Sequence, residues 1–310
     1  MAMHSGGTLA AAVSEGGALG SFGGLHPIKG PEWVRDEIAS IRSKTDRPFA
    51  VGFINAFVPM MQQHFEATLE EKVPVVVLSF GAMQPLLDRA KTSGAGVICQ
   101  VQTFDQAQQA VAAGTDVLVI QGNEAGGHTG TASLLPFLAR ALDAFPDVPV
   151  LAAGGIGDGR TLAAALAAGA SGASVGTVLL ATPEAVEVSE AHKQRVVDSD
   201  GQDTVYTEVF DIVEQKVFGI AWPEGIASRA HRNQFAQQWH GHEDELRRRL
   251  DEIAPQYAQA LQRRDPDMSA VLMSESAAFI RAIRPAAEVV RTICADAERI
   301  LRDHLHELLR

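Results

Sequence analysis

The sequence predicts an α/β fold: a (β/α)8 barrel with a truncated first strand, joined to a small helical second domain. Three observations predict it. Short apolar runs bounded by Gly or Pro alternate with Ala-rich stretches of helical length as far as about Thr182. These runs recur about every 20 to 30 residues, the period of a strand–helix unit. Beyond Thr182 the chain becomes more polar and charged, and strand character falls away.

The barrel is expected over residues 1–183. Its strands fall at 18–22, 48–54, 73–79, Gly96–Val101, 117–120, 148–152 and 172–175, seven of the eight that would close a barrel. Helices fall between them, at 8–15, 31–44, 60–71, Gln84–Thr92, 104–113, 133–144 and 160–168. Strands that are apolar throughout are buried on both faces, which calls for a parallel sheet covered by helices. The missing strand should be the first, because only "MAM" precedes the opening helix. A start further upstream is the expected remedy, and a gapped barrel that holds its ligand weakly is the alternative. Residues 184–276, with the tract "HEDELRRRLDE", are expected to form a mostly helical lid. Residues 277–310 should return to the barrel as helix. There Val289, Val290, Ile293, Ala297, Ile300, Leu301, Leu305 and Leu308 share one face. Pro285 stands near the start of that helix, where proline is tolerated.

Composition narrows the function. The chain has 310 residues, 46% hydrophobic and 21% charged, with a net charge of −12. A chain this acidic repels nucleic acid and anionic membranes, so small metabolites are the expected partners. Its two cysteines, Cys99 and Cys294, form no disulfide framework and fit a reducing cytoplasm. The N-terminus has no basic leader region, and no run of about 18 apolar residues occurs.

Glycine-rich turns follow three of the strands. "AAGGIGDGR" places Gly154 and Gly155 after one late strand, and "GASVGTVLL" places Gly176 and Thr177 after the next. A phosphate needs several backbone N–H donors at close range, which a Cβ would obstruct. Adjacent late strands of a barrel are a common phosphate seat. Ordinary turns are the alternative. No G-x-G-x-x-G fingerprint follows a first strand, so FMN or a sugar phosphate fits better than a dinucleotide.

The third turn is "VLVIQGNEAGGHTGT". His128 ends it, behind Gly122, Gly126 and Gly127. A histidine there overhangs the barrel mouth, where catalysis concentrates, and titrates near neutral pH. Glu124 is its one acidic neighbour in sequence. Capping the following helix is the alternative role. His240 with His242, and His304 with His306, lie two apart and make poor metal pairs, so no metal is expected.

"QGNEAGGHTG", followed by "PVLAAGGIGDGRTLAAALAAGASGASVGTVLLATPEA", resembles the nitronate monooxygenase family, formerly 2-nitropropane dioxygenases. "LAAAVSEGGALG", "RPFAVGFIN", "VPVVVLSFG" and "PAAEVVRTICADAERIL" extend the resemblance over essentially the whole chain. It implies a barrel holding FMN non-covalently, with His128 as the catalytic histidine. It places Gly154, Gly155, Gly176 and Thr177 at the phosphate, with Ala153 beside them. Asn55, Gln100, Gln121 and Gly127 fall at flavin-contacting positions, and Met3 at the methionine whose backbone underlies the ring. Ala2 stands where the family has a proline, which leaves Met3, His4 and Ser5 outside a normal first strand. The implied reaction takes an alkyl nitronate and O2 to a carbonyl compound and nitrite. A small-molecule substrate and O2 are then the partners, with a homodimer open to the chain.

Two rivals share these motifs. FMN-dependent enoyl-acyl-carrier-protein reductases and NADH:quinone reductases look similar but draw electrons from NAD(P)H. "SFG" at 79–81 leans to the monooxygenase branch. A flavin- or phosphate-binding barrel without turnover is the non-enzymatic alternative.

Overall fold

The computed structural model describes residues 4–308. Its strands in chain order are β1 (Gly20–Gly23), β2 (Phe49–Ile54), β3 (Val75–Ser79), β4 (Gly96–Val101), β5 (Val117–Gln121), β6 (Gly127–Thr129), β7 (Val150–Ala153), β8 (Gly172–Ser174), β9 (Thr204–Thr207) and β10 (Ala227–His231). Seven of them form one parallel sheet in the order β1, β2, β3, β4, β5, β7, β8. Helices follow the strands of this curled, barrel-like sheet.

Alternation along each strand separates two environments. Phe22, Val51, Val76 and Val97 are register partners across four strands, and all are fully buried. They pack in one apolar core with helix residues such as Ile38, Phe65 and Leu87. The alternate positions, Gly52, Val77, Ile98 and Val117, are register partners on the inner face. The expected first strand at residues 1–3, and with it Met3, lies outside the described residues. Among those described, β1 and β8 are the two edges of the sheet.

Three expectations need correction. A 3-10 turn, Asn55–Met60, follows β2 at once, and the helix starts only at Gln62. Pro59 sits inside that turn, and its missing N–H and fixed φ suit a tight turn better than a helix interior. Residues 184–276 hold five helices but also β9 and β10, which sequence reading missed. His128 stands in a strand rather than a free loop: β6, β10 and β9 form an antiparallel sheet in that order. These strands are short and polar, so no apolar alternation announces them. Pairing satisfies their polar groups instead, as where Ser228 donates to the Thr207 carbonyl at 3.2 Å.

The last helix, Ala286–Leu308, lies along the helix Gly159–Ala167. A Cβ on Gly159 would overlap Asp296 and Ala297, so glycine sets this close approach. Among the described residues, no helix is long and apolar enough to cross a membrane.

Candidate active site

Strand β5 carries the chain to Gln121 at the open end of the barrel. The chain then turns tightly, and β6 brings His128 opposite Ser228 of β10. Backbone pairing on a second sheet therefore fixes where the imidazole starts.

Asp211 stands in the first turn of the helix Val209–Phe218. Its Oδ1 lies 2.6 Å from Nε2 of His128, and both side chains are almost buried. A carboxylate is favoured at a helix N-terminus, where free N–H groups give a positive field. Nε2 is thus occupied, leaving Nδ1 as the nitrogen available to a substrate. Oδ2 of Asp211 is buried and has no partner. Glu124, the acid that the sequence suggested, turns away and accepts from the Leu134 N–H at 3.1 Å.

The imidazole is also stacked. Trp222 lies over it with centroids 3.4 Å apart and planes 13° from parallel. The indole meets Phe57 and Phe80 edge-on, at 5.0 and 5.2 Å. Phe57 follows β2 and Phe80 follows β3, so this aromatic group sits over the barrel mouth.

Inside the mouth, Gln100, Gln121 and Ala153 stand in two register rows. Ile54, Ser79 and Gln100 are register partners, as are Gln121, Ala153 and Ser174. Gln100 and Gln102 both donate to Oε1 of Gln121, at 3.1 and 2.8 Å. Gln121 in turn donates to the His128 carbonyl at 3.1 Å. Asn55 donates to the Ala82 carbonyl at 3.2 Å, and its buried Oδ1 has no partner.

The glycine turns converge on a third segment. Gly154 and Gly155 have φ of +112° and +67°, conformations that glycine adopts without strain. They lie against Gly122 and Glu124 of the histidine turn. A Cβ on Gly126 would overlap the Met273–Ser274 peptide. The N–H of that peptide donates to Oγ1 of Thr177 at 3.0 Å. One peptide group thus touches both the histidine turn and the Gly176–Thr177 turn. Gly127 itself has open space around it and φ of +79°.

Arg229 of β10 ties the assembly together. Its guanidinium donates to the Asn123 carbonyl at 2.7 Å and to Oδ1 of Asn123 at 3.3 Å, and pairs with Glu275 at 3.2 Å. Asp211, Trp222 and Arg229 escaped the sequence reading. Only Arg229 left a local signal, as a lone cation inside "IASRAH". The other two act across a sequence gap that no local pattern bridges.

Comparison with known proteins follows this geometry. The nitronate monooxygenase family model matches residues 53–296. FabK from Thermotoga maritima superposes with a TM-score of 0.83 at 30% identity, over 98% of this chain and 91% of that one. A nitroalkane oxidase from Streptomyces ansochromogenes gives 0.80 at 26% identity, over 97% and 94%. A (3aS,4S,5R,7aS)-5-hydroxy-7a-methyl-1-oxo-octahydro-1H-indene-4-carboxyl-CoA dehydrogenase of Mycobacterium tuberculosis is 34% identical over 71% of this chain. The chain spans 63% of that relative's length. The fold is therefore TIM-barrel-like, and the non-enzymatic reading falls. The chain is a flavin-type oxidoreductase and belongs to the nitronate monooxygenase family.

Proposed function

We propose that the protein holds FMN and oxidises alkyl nitronates or nitroalkanes with O2 to carbonyl compounds and nitrite. The observation that carries this reading is the His128–Asp211 pair, a base held at the barrel mouth by a buried carboxylate.

The residues fit the cofactor. The unpartnered buried Oδ1 of Asn55 and Oε1 of Gln102 are acceptors suited to the N–H edge or hydroxyls of a flavin. Gly154 and Gly155, at positive φ, form the kind of turn whose backbone N–H groups could meet a phosphate. Gly176 and Thr177 would complete that seat, with Gln100, Gln121, Ala153 and Gly127 nearer the ring. FMN, when bound, would accept electrons from the substrate and pass them to O2.

The chain's own residues handle the proton. Asp211 orients the imidazole and stabilises it when charged, so Nδ1 of His128 accepts the α-proton of a neutral nitroalkane. With a preformed nitronate, the same group instead donates a hydrogen bond to the nitro oxygens. Trp222, Phe57 and Phe80 keep water from this side of the ring. We infer a cytoplasmic setting, which suits Cys99 and Cys294 as free thiols.

A second reading has a specific basis. The acyl-CoA dehydrogenase relative and FabK, at 34% and 30% identity, stand above the nitroalkane oxidase at 26%. On that reading His128 exchanges a proton at the carbon beside a thioester carbonyl, and NAD(P)H or an acyl thioester supplies the electrons. Anaerobic mixing of the flavin-loaded protein separates the two. Bleaching by ethyl nitronate, with nitrite formed once O2 is admitted, supports the first reading. Bleaching by NAD(P)H but not by nitronate replaces it with the second.

A further inference from the structure

His128 presents its substrate with one edge and one covered face. Asp211 holds Nε2, and the indole of Trp222 lies flat on the ring. A carbon that reaches Nδ1 therefore carries its substituents along the indole and along Phe57 and Phe80, which meet that indole edge-on. No charged group takes part in this wall. Polar substituents there would lose hydration without gaining a partner, whereas apolar ones gain with every Å2 covered.

The wall rests on the barrel core: Phe57 belongs to that core and Trp222 packs against it from a segment beyond the barrel. Trp222 sits between Gly219 and Gly225, both at positive φ, +71° and +78°. A Cβ at either glycine would meet nothing within 4 Å. Their role is thus conformational. Gly219 ends the helix Val209–Phe218 in the left-handed form, and Gly225 turns the chain into β10. Between them the segment doubles back and sets one large side chain against the catalytic ring. Asp211 lies at the start of the same helix, so this helix and the segment that follows it supply both the acid and the indole.

We propose that Trp222 is the specificity-determining residue of the site. It selects substrates whose reacting carbon bears a ring-sized apolar body over those with a short alkyl chain. The inference rests on His128 being the proton-handling group, but it concerns what lies beside that group.

The test uses the flavin-loaded protein and two pairs of probes. Cyclohexanone and acetone are titrated by calorimetry, which needs no turnover. The nitronates of nitrocyclohexane and nitroethane are compared in steady state. The parent protein should bind cyclohexanone at least about tenfold more tightly than acetone, and should prefer the cyclic nitronate by a similar factor in kcat/KM. Trp222→Ala should collapse both ratios, with the change falling in KM, and Trp222→Phe should keep part of each. A parent that does not discriminate, or a Trp222→Ala variant that discriminates as well as the parent, overturns the proposal. If Trp222→Ala fails to retain flavin, Trp222→Phe decides alone, and unchanged ratios overturn the proposal. If ketone selection is present and is lost in the variant while neither nitronate reacts, size selection stands and the nitronate reading falls.

Discussion

His128 and Asp211 stand 83 positions apart in the chain and 2.6 Å apart in space. The histidine comes from β6, which leaves the barrel after β5, and the acid from the helix Val209–Phe218. Their meeting makes the histidine a directed base rather than a surface side chain.

Substituting either partner should separate proton transfer from cofactor binding. His128→Asn should keep its flavin spectrum and lose about 100-fold or more in kcat on neutral nitroalkane. Asp211→Asn should lose about tenfold or more, because the imidazole is no longer oriented. Both should be less impaired with preformed nitronate, which needs no deprotonation. Stopped-flow reduction with the two substrate forms makes the comparison, and equal losses on both would remove His128 from the proton step.

Arg229 is buried and holds both Asn123 and Glu275. Arg229→Met leaves the Asn123 carbonyl and the Glu275 carboxylate without their partner. Glu275 is half-exposed, so the loss falls mainly on the hydrogen bonds to Asn123 and costs about 1 to 3 kcal/mol. The expected result is a lower unfolding midpoint in urea and a flavin Kd raised by about tenfold. A variant with parental flavin affinity would show that the turn holds its shape without the arginine.

Gly126 has no room for a side chain, because a Cβ would overlap the Met273–Ser274 peptide. Gly126→Ala must move that peptide, whose N–H is bonded to Thr177. Destabilisation of about 2 kcal/mol or more is expected, along with loss of bound flavin on gel filtration. By contrast, Gly219→Asn should be mild, since asparagine tolerates the left-handed conformation and the space around Gly219 is open.

Glu214 gives a pH signature. It lies one helical turn from Asp211 and accepts from the Tyr257 hydroxyl at 2.7 Å. Burial pushes its carboxyl from the ordinary 4.5 up to about 7, and the charge of Asp211 adds to the rise. The folded chain therefore keeps a proton that the unfolded chain releases between about pH 4.5 and 7, so stability falls as pH rises through that window. Glu214→Gln removes the titration and keeps the acceptor for Tyr257. The variant should be more stable than the parent by about 1 to 2 kcal/mol at pH 8, and equal to it at pH 4.5. Melting curves at the two values test this, and a gap of the same size at both would refute it.

Local features were legible in the sequence, and distant ones were not. The central barrel strands could be read because they are apolar runs bounded by turns, as in "VVVLS" and "VLVIQ". The glycines at 154 and 155 were readable because a left-handed backbone restricts residue type wherever it occurs. The short strands β6, β9 and β10 were invisible: "GHT", "TVYT" and "ASRAH" carry no apolar alternation. Asp211 and Trp222 were missed for a different reason. An aspartate in a first helical turn and a tryptophan before a proline are commonplace, and they gain meaning only beside His128. The 3-10 turn at Asn55–Met60 was not foreseen either, and the helix expected from residue 60 starts at Gln62.

The small sheet of β6, β10 and β9 also orders events in time. During synthesis the barrel half emerges first, with every glycine turn in place. His128 then waits for roughly a hundred more residues before its strand partner, its acid and its aromatic cover exist. Arg229 and the Met273–Ser274 peptide, which brace the glycine turns, emerge just as late, so cofactor seating and competence for proton transfer are completed together rather than in turn.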